Sequence, residues 1–249
     1  MIVHQKDAYG YLLVKEDSTG AGYKGLINNH DRVVKIKLAG EMAAAIAHEI
    51  RNPMTTVRGL LQLLEKEKAC PGFEERLNLM LQELDRANSV ISEVLLLAPT
   101  KVTDLERKIL NDILEDLLPT IQSEAAESGK KVIFEPGIIP YLLLNEQEIA
   151  KLIRNLVRNG LEAMSAGGVL KLKTFIDDQD IVLAVQDQGK GIKMGLLDML
   201  GTPFFTTKEQ GTGLGLAVSY SIAARHNATI KVETGPQGTT FFVRFKHHP

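Results

Sequence analysis

The chain has 249 residues, 44% of them hydrophobic, with 29 Lys and Arg against 31 Asp and Glu and a net charge of -2. That is room for one large domain or two small ones with ordinary cores, and it leaves no overall attraction to nucleic acid. No apolar run approaches the roughly 18 residues a membrane-crossing helix needs; Cys70 stands alone, and the first residues lack a secretion-signal pattern, so the chain is expected in the cytoplasm, with any membrane tether in segments absent here. The histidines do not pair with Cys or acidic residues at metal-ligand spacing, and no zinc site is expected.

Residues 1–31 carry Gly20, Gly22 and Gly25 around Asp17-Ser18-Thr19, with short apolar pieces such as Tyr11-Leu12-Leu13-Val14. They read either as the end of a truncated sensor domain or as a loosely ordered leader.

From residue 32 to residue 98 the pattern is helical, broken once at Ala69-Cys70-Pro71-Gly72, where Pro cannot continue a helix and Gly follows. Ile46, Ile50, Val57, Leu61 and Leu64 recur at helical spacing before that turn. After it, Leu77, Leu84, Ile91 and Ala98 make one heptad row, and Met80/Leu81, Ala87 and Val94/Leu95 make the other. This predicts an antiparallel helical hairpin. A lone hairpin cannot bury so wide a stripe, so two copies are expected to pair as a four-helix bundle in an obligate homodimer; the alternative is that the hairpin docks on the rest of its own chain.

After a linker at 99–103, residues 104–249 read as an α+β domain. Helices are expected over Asp104 to Ser128, Asn145 to Met164 and Leu216 to Ala224. Strands are expected at Lys131–Phe134, Tyr141–Leu144, Val169–Phe175, Ile181–Gln186, Thr229–Glu233 and Thr239–Phe245. Asp177-Asp178-Gln179-Asp180 and Pro236-Gln237-Gly238 mark turns.

Helical spacing predicts that His48 lies on the far side of its helix from Ile50 and faces solvent. A neutral imidazole has one lone pair free to attack, and Glu49 is the nearest carboxylate that can accept the other ring N–H and stabilise developing charge. Asn52 is one turn along the same face, where its amide could position a water for attack on a partner's aspartyl-phosphate. Pro53 is expected to kink the helix beside them.

Gly211-Thr212-Gly213-Leu214-Gly215 precedes a helix, so close backbone approach and a helix N-terminus together can cradle a triphosphate. A Rossmann reading fails, because the preceding Pro203 to Gln210 are loop-like rather than a strand. Asp187 ends a strand ahead of Gly189 and Gly191, where its carboxylate can accept from an adenine amino group. Asn155 and Asn159, one turn apart with Arg158 between them, can direct amide oxygens and a cation toward one phosphate–Mg²⁺ cluster.

In this order, His48-Glu49-Ile50-Arg51-Asn52-Pro53, Asn155/Asn159, Asp187-Gln188-Gly189-Lys190-Gly191, Phe204-Phe205-Thr206-Thr207-Lys208 and Gly211 to Gly215 resemble the H, N, G1, F and G2 boxes of the two-component sensor histidine kinases. Over roughly residues 40 to 249, the resemblance implies a helical dimerisation and phosphotransfer hairpin followed by an α/β-sandwich ATP-binding domain of the gyrase, Hsp90 and MutL type. It implies that His48 accepts the phosphoryl group from ATP, that Glu49 assists, and that Asn52 serves a phosphatase reaction. It further implies that Asn159 coordinates Mg²⁺, that Asp187 recognises adenine, and that Lys208 and Arg158 contact phosphate. The backbone at Gly213 and Gly215 would cradle the phosphates while Gly189, Gly191 and Gly211 flex; Asn155, Thr207, Thr212 and Leu214 complete the pocket.

Two departures stand out: Gly160 replaces the usual Ala, and only Glu209-Gln210 join the F and G2 boxes, so the lid is short. Arg58-Gly59-Leu60-Leu61-Gln62-Leu63-Leu64 is similar to the sporulation-type kinases of Gram-positive bacteria. That implies, as partners, a response-regulator receiver domain in a phosphorelay and small antikinase proteins that grip the hairpin. The rival readings are a nucleotide-controlled scaffold without catalysis and a protein-serine kinase on the same ATP fold.

Overall fold

The computed structural model describes residues 15–16, 23–25, 54–64, 73–97, 104–208 and 211–246. His48, Glu49 and Asn52, the turn at Ala69 to Gly72, the 99–103 linker, and Glu209 and Gln210 of the lid lie outside the described residues.

Residues 54–64 (α1) and Phe73–Leu95 (α2) are helical. Met54, at the start of α1, lines a cavity with Glu83, Ala87, Val90 and Ile91 from the second half of α2, and Arg58 pairs with Asp85. The start of one helix thus meets the later part of the next, as an antiparallel hairpin requires. Of the expected heptad rows, Leu77, Ile91 and Val94 are buried and Met80 is exposed; of the stripe expected before the turn, Val57 and Leu64 are exposed.

The end of α2 is anchored elsewhere. The Ser92 and Val94 carbonyls accept the Leu96 and Leu97 N–H groups at 3.2 and 3.0 Å, which closes its last turn. The Leu96 carbonyl just beyond accepts from Ser221 Oγ and from an Arg225 guanidinium N–H, both at 2.9 Å. Ile91, Val94 and Leu97 share one apolar cluster with the second domain.

That domain begins with a correction. Glu106–Lys108 (β3) is a strand, not the first turn of a helix, and pairs antiparallel with Leu142–Leu144 (β5). Glu, Arg and Lys are good helix formers, but pairing beside the partly buried Leu142–Leu144 overrides the intrinsic preference. The helix starts only at Leu110 and runs to Glu127 (α3).

The main sheet adds Lys131–Glu135 (β4), Val169–Asp177 (β6), Asp180–Gln186 (β7), Ala228–Gly235 (β8) and Gly238–Lys246 (β9). Two short strands from the start of the chain, Lys15–Glu16 (β1) and Tyr23–Gly25 (β2), extend it in the order β1-β2-β8-β9-β7-β6-β4. Among the described residues, only β4 and β6 pair in parallel in this sheet. β7 is an interior strand buried along almost its whole length, whereas β8 and β9 alternate buried and half-buried positions, as a sheet covered on one face demands. Glu146–Ala163 (α4), Gly215–Arg225 (α5) and α3 form the covering layer.

α4 is the helix that matters most. Asn145 caps it by accepting from the Glu148 N–H at 3.0 Å, and Glu146 and Glu148 complement the positive end of the helix dipole. Ile149, Leu152, Ile153, Leu156, Val157 and Leu161 recur at helical spacing and are buried. Leu152 is completely buried. Leu152→Ala should therefore cost about 2–5 kcal/mol, read as a lower denaturant midpoint.

His226 joins the C-terminus of α5 to that cap. Its Nε2 accepts from the Asn145 N–H at 3.0 Å, which leaves the ring proton on Nδ1 to donate to the Ile222 carbonyl at 2.8 Å. Burial lowers its pKa, against the opposing Ile222 bond and Glu148 charge. The unfolded ring takes up a proton below about pH 6.5 where the folded ring resists it. This contribution to stability is therefore complete above that pH and is lost as pH falls toward the folded pKa. Melting temperature should decline between pH 7.5 and pH 5.5, and His226→Gln should flatten the decline.

Candidate functional site

Four positions of α4 reach three segments outside it, the start of α5, the end of β7 and the loop at Lys208, and that is what assembles the site. Asn155 Nδ2 donates to the Gly215 carbonyl at 2.9 Å. Asn159 Oδ1 accepts from the Lys208 ammonium at 3.0 Å. A β-carbon on Gly160 would lie 3.3 Å from Asp187 Cβ. Glu162 bonds both Arg158, Nε to Oε1 at 2.8 Å, and Lys208.

Asp187 is buried at the end of β7. Its Oδ1 accepts two backbone N–H bonds, from Gly189 at 2.8 Å and Thr239 at 3.1 Å. Burial pushes its pKa up, while those two bonds pull it partly back. Both fall on one oxygen, and among the described residues Oδ2 takes none, so it is the atom left to accept from a ligand.

The surrounding loops need glycine where the backbone closes on itself. Gly191 has φ +70, and a β-carbon there would sit 2.1 Å from the Gly235 carbonyl oxygen. Gly213 has φ +68, with the Phe204 carbonyl carbon 2.4 Å from the same position. Neither place accepts a side chain without moving backbone. Gly189 packs on Ala163 and Gly211 on Thr206. Thr207 is exposed beside Lys208, the Thr212 hydroxyl accepts from the Leu214 N–H at 3.4 Å, and Leu214 is buried at the start of α5. α5 has no side-chain cap, so its first N–H groups can serve a ligand oxygen.

Residues 38–100 match the His Kinase A (phospho-acceptor) domain, and residues 144–249 match the histidine kinase-, DNA gyrase B- and HSP90-like ATPase domain. The chain belongs to the two-component sensor histidine kinases. Sporulation kinase A of Bacillus subtilis (strain 168) is 33% identical over 215 residues, which are 85% of this chain and 35% of that protein. In fold, full-length ShkA in complex with AMPPNP is similar at a TM-score of 0.73 and 24% identity, covering 83% of this chain and 46% of the other. Histidine kinase ThkA in complex with response regulator TrrA is similar at a TM-score of 0.59 and 24% identity, covering 87% and 64%. The chain spans less than half the length of the curated relatives it matches.

Within the family's ATPase module, the structure brings Asn155, Arg158, Asn159, Asp187, Lys208 and the Gly211 to Gly215 loop around α4. It also adds residues that the motifs did not announce. Thr239, on β9, fixes the Asp187 carboxylate through its N–H. The Thr234 hydroxyl accepts from the Ile192 N–H at 2.8 Å and holds the loop after Gly191. The Ser219 hydroxyl shares the Gly215 carbonyl with Asn155, at 2.9 Å. Glu162 was legible as the residue one turn beyond Asn159; Thr234 and Thr239 depend on strand register and carried no local signal.

Proposed function

We propose that the chain is the catalytic portion of an ATP-dependent protein-histidine kinase that phosphorylates His48 and passes the phosphoryl group to an aspartate of a response regulator. Residues 32–98 act as the dimerisation and phosphotransfer domain and residues 104–249 as the ATP-binding domain. The observation that carries this reading is the convergence of Asn155, Asn159, Asp187 and Lys208 on one helix beside an uncapped helix N-terminus.

Asp187 Oδ2 accepts from the adenine amino group, the N–H groups opening α5 hold phosphate oxygens, and Lys208 and Arg158 neutralise them. A divalent cation fits at Asn159, because its Oδ1 already receives a cationic group, the Lys208 ammonium. When bound, Mg²⁺ supplies charge neutralisation on the phosphate oxygens. The His48 lone pair then forms the P–N bond as the bridging oxygen leaves with ADP, and Glu49 holds the ring N–H. In a separate phosphatase reaction, Asn52 positions a water that attacks the receiver's aspartyl-phosphate, releasing inorganic phosphate and the free aspartate.

The exposed stripe of Val57, Leu60 and Leu64, at spacings of three and four, supports a second copy packed on the hairpin. Light scattering should give a dimer at micromolar concentration, and Leu60→Glu with Leu64→Glu should give a monomer. The likeness to sporulation kinases supports a phosphorelay receiver domain as acceptor. Incubation with γ-labelled ATP, Mg²⁺ and candidate receiver domains should move label first onto the chain and then onto one receiver; a chain that never transfers label to any of them has a different output.

A further inference from the structure

Glu162 is a charged group of the site to which the reading above gives no task. It lies one turn beyond Asn159 on the same face of α4. Its two oxygens are differently engaged: Oε1 accepts from Arg158 at 2.8 Å, and Oε2 contacts the Lys208 ammonium. The same ammonium is 3.0 Å from Asn159 Oδ1. A carboxylate oxygen and an amide oxygen therefore converge on a single cation. Burial alone raises the Glu162 pKa, but the Lys208 and Arg158 contacts outweigh it and the net shift is downward, so the carboxylate is held charged.

Hard divalent cations choose such oxygen pairs, and Mg²⁺ on a nucleotide commonly takes one or two protein oxygens, with phosphate and water completing its octahedron. Among the described residues no group of three or more His, Cys, Asp and Glu converges. Arg158 holds Oε1 and leaves Oε2 on the Lys208 ammonium that Asn159 Oδ1 also receives, as an outer partner orients a metal ligand. A lysine ammonium carries one charge on a long, mobile stem; a divalent ion carries two and binds both oxygens more strongly.

We propose that Glu162 is a second protein ligand of the nucleotide-bound divalent cation, and that the Lys208 ammonium stands where this cation binds. The inference rests on the nucleotide-site reading above. Arrival of the Mg²⁺–nucleotide complex then displaces Lys208 from Glu162 and Asn159. The released ammonium turns to the phosphates, so metal binding and phosphate contact by Lys208 are one event rather than two. Glu162 thereby makes nucleotide affinity strongly dependent on the metal, because without it the carboxylate faces the phosphates and competes with them for Lys208 and Arg158.

Calorimetric titration of the full chain with AMPPNP, once in EDTA and once in excess Mg²⁺, tests this without reading activity. The wild-type chain should bind more tightly with Mg²⁺. Glu162→Gln keeps the shape and removes the charge; it should shrink that Mg²⁺-dependent gain by about tenfold or more while leaving binding in EDTA unchanged or a few-fold tighter. Glu162→Asp should recover part of the gain. An unchanged gain in Glu162→Gln overturns the proposal, as does an equal loss in both conditions, which would mark the residue as merely structural. A wild-type chain that binds AMPPNP in neither condition overturns the nucleotide site itself and this proposal with it, and is told apart by that result.

Discussion

In an Asp187→Asn chain, ATP affinity falls by about 100-fold or more, equivalent to about 2.7 kcal/mol, while the domain stays folded. The two backbone N–H groups of Gly189 and Thr239 both point at Oδ1. Asparagine must place its carbonyl oxygen there, because an amide NH₂ would face two donors. Its NH₂ is then forced into the position of Oδ2, where it meets the adenine amino group donor to donor. The exchange removes a hydrogen bond to a charged acceptor, about 1.5–3 kcal/mol, and leaves a buried donor unpaired at a cost of about 1–3 kcal/mol more. Because both backbone bonds survive, the melting temperature should move by only a few degrees. Calorimetry with ATP beside a thermal melt checks both halves.

His48→Gln gives the opposite dissociation. ATP affinity should stay within about twofold of wild type, since the α4 pocket is built without that residue, yet covalent label from γ-labelled ATP should fall below detection. An amide nitrogen has its lone pair delocalised and cannot replace the imidazole as nucleophile. The remaining machinery positions the phosphoryl group and neutralises its charge, and neither effect acts without an attacking atom. Label that survives in His48→Gln at more than a few per cent of wild type would place the accepting residue elsewhere.

The parts of this fold that the sequence displayed are those whose signal is local. α4 was visible because Asn145 and Glu148 announce its start and Ile149, Ile153, Leu156 and Val157 repeat at helical spacing. β8 and β9 were visible because apolar residues alternate on either side of Pro236-Gln237-Gly238. β3 was hidden: Glu106-Arg107-Lys108 prefers helix, and only pairing with Leu142–Leu144 makes it a strand. β1 and β2 were hidden too, since what defines them is the distant edge of β8, with Tyr23 opposite Thr234 and Gly25 opposite Val232.

The site divides along the same line. Asp187, the asparagines and the glycines could be picked out because their motifs are short and ordered along the chain. The partner that orients Asp187 could not, because Thr239 arrives through the β7–β9 register, in which Gln186 faces Thr240. Glu162 lay in plain view, one turn past Asn159, but its significance appears only when Lys208 is seen to bridge the two.

The most direct measurement is to incubate the chain with Mg²⁺ and γ-labelled ATP, digest it without acid, and locate the label by mass spectrometry. A single phosphoryl group on His48, lost in acid and stable in base, is the expected result. Label on serine, threonine or another histidine, or an unmodified His48 in a chain that demonstrably binds ATP, would contradict the assignment.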